Sequence, residues 1–264
     1  IGDLQLQAHG ITLEKADEFG ASVSIADIDG DGNNDLIVGA PLRSGGGVQD
    51  GGSVFVLFMD GSGGINNAVE ITDGSQLPAG LLYIRDHLGY SVATADINLD
   101  GTPDIIAGAE RDDTDDIDAG AIYTLLMNND GTVASMNIVT AASDSRDWFG
   151  SSVGVLDDID GDDVPEIMVG SIKADDGHGA AGRVTVLFLN ADGTAKDLKN
   201  LISDTEGNFK GQLDKGDFFG SAATSLGVDL DGNCIDEVFV GAVSDDYPGG
   251  QRDLGTGWVL WLEP

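Results

Sequence analysis

Four aspartates fall within the nine residues DIDGDGNND, Asp27, Asp29, Asp31 and Asp35, at positions 1, 3, 5 and 9 of that stretch. A turn with this spacing aims several carboxylates at one centre, and carboxylates so close repel one another unless a cation lies among them. The ligands are hard oxygens with no His or Cys beside them, which selects Ca²⁺ over zinc or another transition metal. Mg²⁺ fits less well, because it demands a stricter octahedron and retains several waters. An apolar run, LIVGA, follows at once, so the charge is set directly against what reads as a buried strand.

The stretch recurs as DINLDGTPD from Asp96, DIDGDDVPE from Asp158 and DLDGNCIDE from Asp229. An EF-hand opens similarly but requires a bidentate Glu at position 12 between two helices. Position 12 here is Val38, Ala107, Val169 or Val240, each inside an apparent strand, and the EF-hand reading fails in all four copies. The other reading of such loops is a solvated Asp-Gly turn without metal, but chance turns rarely keep positions 1, 3, 5 and 9 four times over.

A second signature precedes each acidic loop: DEFGAS at Asp17, DHLGYS at Asp86, DWFGSS at Asp147 and DFFGSA at Asp217, at steps of 69, 61 and 70 residues. The chain is therefore four copies of one unit. Each unit reads as a short strand (SVSIADI, SVATADI, SSVGVLDD, AATSLGVD), the acidic loop, and a second strand (DLIVGA, DIIAGA, EIMVGS, EVFVGA). After a variable polar loop comes a third strand (GGSVFVLFM, AGAIYTLLM, AGRVTVLFL, TGWVLWL). In three copies a hairpin turn at Asp60-Gly61, Asp130-Gly131 or Asp192-Gly193 then leads to a weaker fourth strand. Four short antiparallel strands every 60 to 70 residues form a propeller-blade pattern, and apolar second and third strands suit sheets covered on both faces.

Phe-Gly, then D-x-D-x-D-G-x-x-D, then an apolar strand with Gly-Ala resembles the FG-GAP repeat of integrin alpha-subunit propellers and their bacterial relatives, over essentially the whole chain. The resemblance implies an all-β propeller of four blades, at about 14–72, 83–141, 144–203 and 214–264, with an N-terminal strand at about 4–13 completing the last blade and closing the ring. The competing arrangement is a fragment or half-ring, paired with a second chain. It also implies Ca²⁺ bound by side chains at positions 1, 3, 5 and 9 and the position 7 carbonyl, about one ion per repeat and up to four. The first site is then Asp27, Asp29, Asp31, Asp35 and the Asn33 carbonyl, and the second Asp96, Asn98, Asp100, Asp104 and the Thr102 carbonyl. The third is Asp158, Asp160, Asp162, Glu166 and the Val164 carbonyl, and the fourth Asp229, Asp231, Asn233, Glu237 and the Ile235 carbonyl. Copies three and four depart from the pattern with Asp163 and Cys234 at position 6, where the family has Gly, and are expected to turn differently or bind more weakly.

Twelve Lys+Arg against 47 Asp+Glu give a formal net charge of −35, which excludes nucleic acid as a partner. A 41% hydrophobic content supports a core, and the acid excess beyond four Ca²⁺ points to a saline habitat. No apolar run reaches the length of a membrane span, so no direct membrane insertion is expected. Cys234 is the single cysteine and makes no internal disulfide.

Ligand loops are expected on the face opposite the metal hairpins: PLRSGGGVQDG, ERDDTDDID, KADDGHGA and SDDYPGGQRDLG after the second strands, and DGSQLPAGLLYIRDH and SDTEGNFKGQLDKGD before the FG signatures. Asp112, Asp113, Asp115, Asp116 and Asp118 form the densest charge cluster among them, an extra cation site or, the commoner case, a solvated loop. Trp148 and Trp258 read as packing residues, and Tyr247 as the exposed aromatic suited to stacking on a sugar. Lys215-Gly216-Asp217 has the form of an adhesive tripeptide, but its Asp belongs to the repeated signature. His9, His87 and His178 have no metal-ligand spacing, and no elbow, zincin, P-loop or dinucleotide motif is present.

These features describe a secreted or cell-surface, Ca²⁺-stabilised module for adhesion or recognition of a protein or glycan, lectin-like in use, with self-association as a further option and no catalytic signature. Two other readings stand beside it: a polysaccharide-active enzyme or enzyme-associated domain, since a glycosidase carboxylate pair leaves no local motif, and a structural spacer of a larger surface protein.

Overall fold

A computed structural model describes residues 3–140, 145–175, 179–203, 205–207, 209, 211–245 and 254–262. Four antiparallel sheets follow one another along the chain. The first comprises β1 (Ser22–Ala26), β2 (Asp35–Ala40), β3 (Ser53–Met59) and β4 (Ile65–Asp73), with the two-residue β5 (Gln76–Leu77) parallel to β4. The second comprises β6 (Leu88–Ala95), β7 (Asp104–Ala109), β8 (Ala121–Met127) and β9 (Val133–Val139). The third comprises β10 (Phe149–Val155), β11 (Ile167–Ser171), β12 (Arg183–Leu189) and β13 (Ala195–Ile202), and the fourth β14 (Phe219–Ser225), β15 (Val238–Ala242) and β16 (Thr256–Leu260). The expected strand order holds in the first three units and in the three strands of the fourth.

The middle strands of the second and third sheets are buried on both faces because each of these sheets packs between two neighbours. Ile37, Val54 and Val56 of the first sheet pack with Val92, Ala107 and Tyr123 of the second. Ile106 and Ile122 on the other face of the second meet Val169 and Leu187 of the third, and Val184 and Val186 of the third meet Val238 and Val240 of the fourth. Backbone contact between sheets explains why two glycines recur. A Cβ on Gly39 would lie 1.9 Å from the Gly89 carbonyl oxygen, and one on Gly108 or Gly170 2.1 Å from the oxygen of Gly150 or Gly220. Beside each approach a serine hydroxyl donates to that same carbonyl: Ser22 to Gly89 at 2.8 Å, Ser91 to Gly150 at 2.7 Å and Ser152 to Gly220 at 2.8 Å. The aromatic of the signature fills the preceding sheet's face, as Phe149 and Phe219 do; Leu88 takes that place in the second unit.

The N-terminal segment departs from expectation. It forms a helix, α1 (Asp3–Gln7), in place of a strand of the fourth sheet. Leu6 and Ile11 pack with Val38, Phe55 and Leu57 on the free face of the first sheet, and the His9 ring nitrogen Nε2 lies 3.2 Å from the Ile65 carbonyl oxygen. The pattern LQLQ has apolar residues two apart, which reads as a strand, but one buried leucine on a single helical turn satisfies the same face. Among the described residues the fourth sheet has three strands, no packing like that between successive sheets joins it to the first, and the array is open. Phe239, Val259 and Trp261 stand exposed on its outer face, and Val23 and Ile25 at the opposite end.

Candidate metal centres

The acidic loops join β1 to β2, β6 to β7, β10 to β11 and β14 to β15, at one end of all four sheets. Their backbone hydrogen bonds repeat. The position 1 aspartate accepts from the N–H of position 5 (Asp31 to Asp27, 3.1 Å; Asp100 to Asp96, 3.1 Å; Asp162 to Asp158, 3.1 Å; Asn233 to Asp229, 3.2 Å). It also accepts from position 6, at 2.9 Å from Gly32, 2.9 Å from Gly101, 2.8 Å from Asp163 and 2.9 Å from Cys234. The expectation that the third and fourth loops turn differently is not met: Asp163 and Cys234 both take φ 71°, the left-handed conformation that Gly32 and Gly101 adopt at 89° and 90°. The position 7 N–H of Asn33, Thr102, Val164 or Ile235 donates to the position 5 side chain.

Position 9 is buried in every copy and ties the loop to the sheet. Asp35 accepts from the N–H of Ile28 and Met59, and Asp104 from Ile97 and Met127, so one carboxylate holds the loop and the edge of the third strand together. The longer Glu166 and Glu237 accept from Ile159 and Leu230 with one oxygen, and leave the other buried without a partner. An orphaned, buried carboxylate oxygen among further carboxylates is what a bound cation would satisfy. Burial pushes Glu166 up to about 7, with the charges of Asp160 and Asp158 adding to it. Asp104 rises to about 6 and Asp35 in the same direction, both through burial, against the hydrogen bonds they accept.

The side chains converge to different degrees. Asp158, Asp160, Asp162 and Glu166 each offer an oxygen within 4.8 Å of the others, as do Asp27, Asp29 and Asp35, and Asp229, Asp231 and Glu237. Asp31 stands outside the first group. Asp96, Asp100 and Asp104 do not form such a group; Asn98 replaces the charge at position 3 and its amide donates to Asp100 at 2.9 Å. Asn233 turns its amide to the Leu262 carbonyl at 2.7 Å. The donor sets are all oxygen and fit a hard divalent cation. Lys196 of β13 was not legible as part of the third loop: its ammonium lies 2.7 Å from both Asp160 and Asp162, a cation supplied by the chain itself.

At the other end of the sheets, sequence reading missed the partners of the buried signature aspartates. Asp17 accepts from Arg43 at 2.9 Å, and Arg43 also reaches Glu70; Asp147 accepts from Arg183 at 2.7 Å. Within the acidic loop Asp113, Asp115 and Asp116 are exposed and Asp118 is half-buried, whereas Asp112 is buried, so the solvated reading fails for it. Trp148 is half-buried under the Arg111 guanidinium at 4.5 Å and Lys173 at 4.9 Å, and Trp258 packs edge-on against Phe209. Asp217 is buried, as a structural role for Lys215-Gly216-Asp217 requires. Cys234 is exposed, and Tyr247 and His178 lie outside the described residues.

The FG-GAP repeat family model matches residues 19–57 and 88–125. The chain is 29% identical to integrin alpha-5 of Xenopus laevis over 233 residues, 86% of this chain and 20% of that protein. It is 29% identical to human integrin alpha-7 over 204 residues, 74% of this chain and 15% of that protein. To phosphatidylinositol-glycan-specific phospholipase D of Bos taurus it is 27% identical over 192 residues, 69% of this chain and 22% of that protein. The chain thus spans less than a quarter of the length of these relatives. No helix among the described residues is long and apolar enough to cross a membrane. FG-GAP repeats are thus matched directly in the first two units, the same loop geometry recurs in the other two, and the chain is similar to integrin alpha subunits over most of its length.

Proposed function

We propose that the chain is a secreted or cell-surface propeller module whose four hairpin loops bind Ca²⁺ and whose opposite loops recognise a protein or glycan ligand in adhesion. The carrying observation is the division of labour between the two ends of the sheets. One end repeats the same acidic hairpin four times, and the other carries loops that differ in length and chemistry on the same frame. Residues at positions 1, 3, 5 and 9 would hold the ion with the carbonyls of Asn33, Thr102, Val164 and Ile235. The ion would neutralise the loops and fix the β1–β2 type of hairpin, and so hold the frame that presents the ligand loops. Similarity to integrin alpha subunits supports recognition over catalysis. Ring closure is part of this reading: the exposed faces at Val23 and Ile25 and at Phe239, Val259 and Trp261 are the ones a complete ring covers.

The similarity to a phospholipase D favours a second reading, a domain attached to an enzyme. Binding of the labelled chain to arrays of matrix proteins and polysaccharides, with Ca²⁺ and with chelator, separates the two. Recognition requires binding that is lost on chelation and on exchange of loop 110–118 for the corresponding loop of the first unit. Turnover of an arrayed glycan, or binding indifferent to the loop exchange, contradicts it.

A further inference from the structure

We propose a cation site outside the hairpin loops, at the opposite end of the molecule, where the buried carboxylates of Asp86 and Asp112 together hold a single metal ion, Ca²⁺ by its hard oxygen donors. The inference starts from a comparison of the first three units. The signature aspartate is buried in each, and in the first and third it is neutralised by an arginine, Arg43 or Arg183. The Arg43 carbonyl accepts from the Gly52 N–H, and the same place in the second unit, accepting from the Gly120 N–H, is occupied by Asp112. An acid thus stands where the first unit has its cation.

Asp86 is 0% exposed and Asp112 1%. One Asp86 oxygen accepts from the Tyr83 N–H at 2.6 Å; the other, Oδ1, is buried with no partner. Asp112 accepts from the Thr114 N–H at 2.7 Å with one oxygen and from the Tyr123 hydroxyl at 2.6 Å with the other. No ion pair to either carboxylate exists among the described residues. Burial carries the Asp86 pKa up to about 7 against the hydrogen bond from Tyr83, with the charges of Asp112 and Asp113 adding to it. What the surroundings lack is a group that balances the buried charge and satisfies Oδ1. A cation does both. A cavity of about 470 Å³ is lined by Gly80, Leu81, Tyr83, Asp113, Thr114 and Ile138, and two of these, Tyr83 and Thr114, donate their N–H groups to the pair.

The test is a Ca²⁺ titration of the chelated wild type and of Asp112→Arg, which installs the first unit's arginine, with Asp112→Asn alongside. The wild type is expected to bind one more Ca²⁺ than either variant, and Asp112→Arg to unfold in chelator at a higher temperature than the wild type does. Equal stoichiometry in all three chains overturns the proposal. Crystals of the wild type soaked in Tb³⁺ give the answer should a variant not fold: an anomalous peak at Asp86 and Asp112 is expected, and peaks confined to the hairpin loops overturn it. The proposal stands apart from the hairpin sites, since Asp35→Asn should remove a hairpin ion and leave this one.

Discussion

At the residue scale the strained loop positions and the buried acids are the informative ones. Asp163 and Cys234 sit at φ 71° where the first two loops have glycine, a conformation that costs an L-residue about 1 kcal/mol. Asp163→Gly and Cys234→Gly are each expected to raise stability by about 0.5–1 kcal/mol in saturating Ca²⁺, read by thermal unfolding. Glu166 at about 7 and Asp104 at about 6 lie above their ordinary values of 4.5 and 3.8. Their raised values favour the folded chain when protonated, so without metal this stability is complete below the ordinary values and lost as pH rises through about 6 and about 7. Ca²⁺ bound at the proposed sites would favour the ionised forms and reverse that slope. The unfolding temperature should fall between about pH 4 and pH 7 in chelator and not in Ca²⁺; parallel slopes would refute the assignment. The repeated loop positions were legible because the 1, 3, 5, 9 spacing is local. Lys196 and the burial of Asp112 were not, because each is fixed by a strand pairing or by the adjoining sheet.

At the element scale, hairpins and sheet contacts carry the energetics. Lys196 supplies a competing positive charge to the third loop, and Lys196→Met should tighten Ca²⁺ there several-fold, measured by titration in a chain whose other loops carry Asn at position 9. Ser91 donates to the Gly150 carbonyl between the second and third sheets, and Ser91→Ala should cost about 1 kcal/mol in denaturant unfolding. The fourth sheet has Ala222 at the position of these serines, opposite Gly241. Strand order and turn positions were readable because alternating and continuous apolar runs separated by Asp-Gly turns admit few alternatives. The N-terminal helix was not, because a short segment with two apolar residues in alternation satisfies either period and tertiary packing on Val38 and Phe55 decides.

At the scale of the molecule, a net charge of −35 is set against an all-β frame that concentrates carboxylates at both ends of its sheets. Such a chain is self-repelling until cations bind, and a site filled at a hundred times its Kd adds about 2.7 kcal/mol to folding. The repeat period made the four-unit plan plain from the sequence; how the ends of the array are covered depends on apolar faces whose exposure only the packed sheets reveal. The most direct test of the account is calcium content and thermal unfolding of the Asp112→Asn chain, where only the hairpin loops are counted, after exhaustive chelation and after return of Ca²⁺. The account predicts about four Ca²⁺ per chain, one per loop, and an unfolding temperature raised on the order of 10 °C or more. A chain that retains no Ca²⁺ and unfolds at the same temperature in both conditions would contradict it.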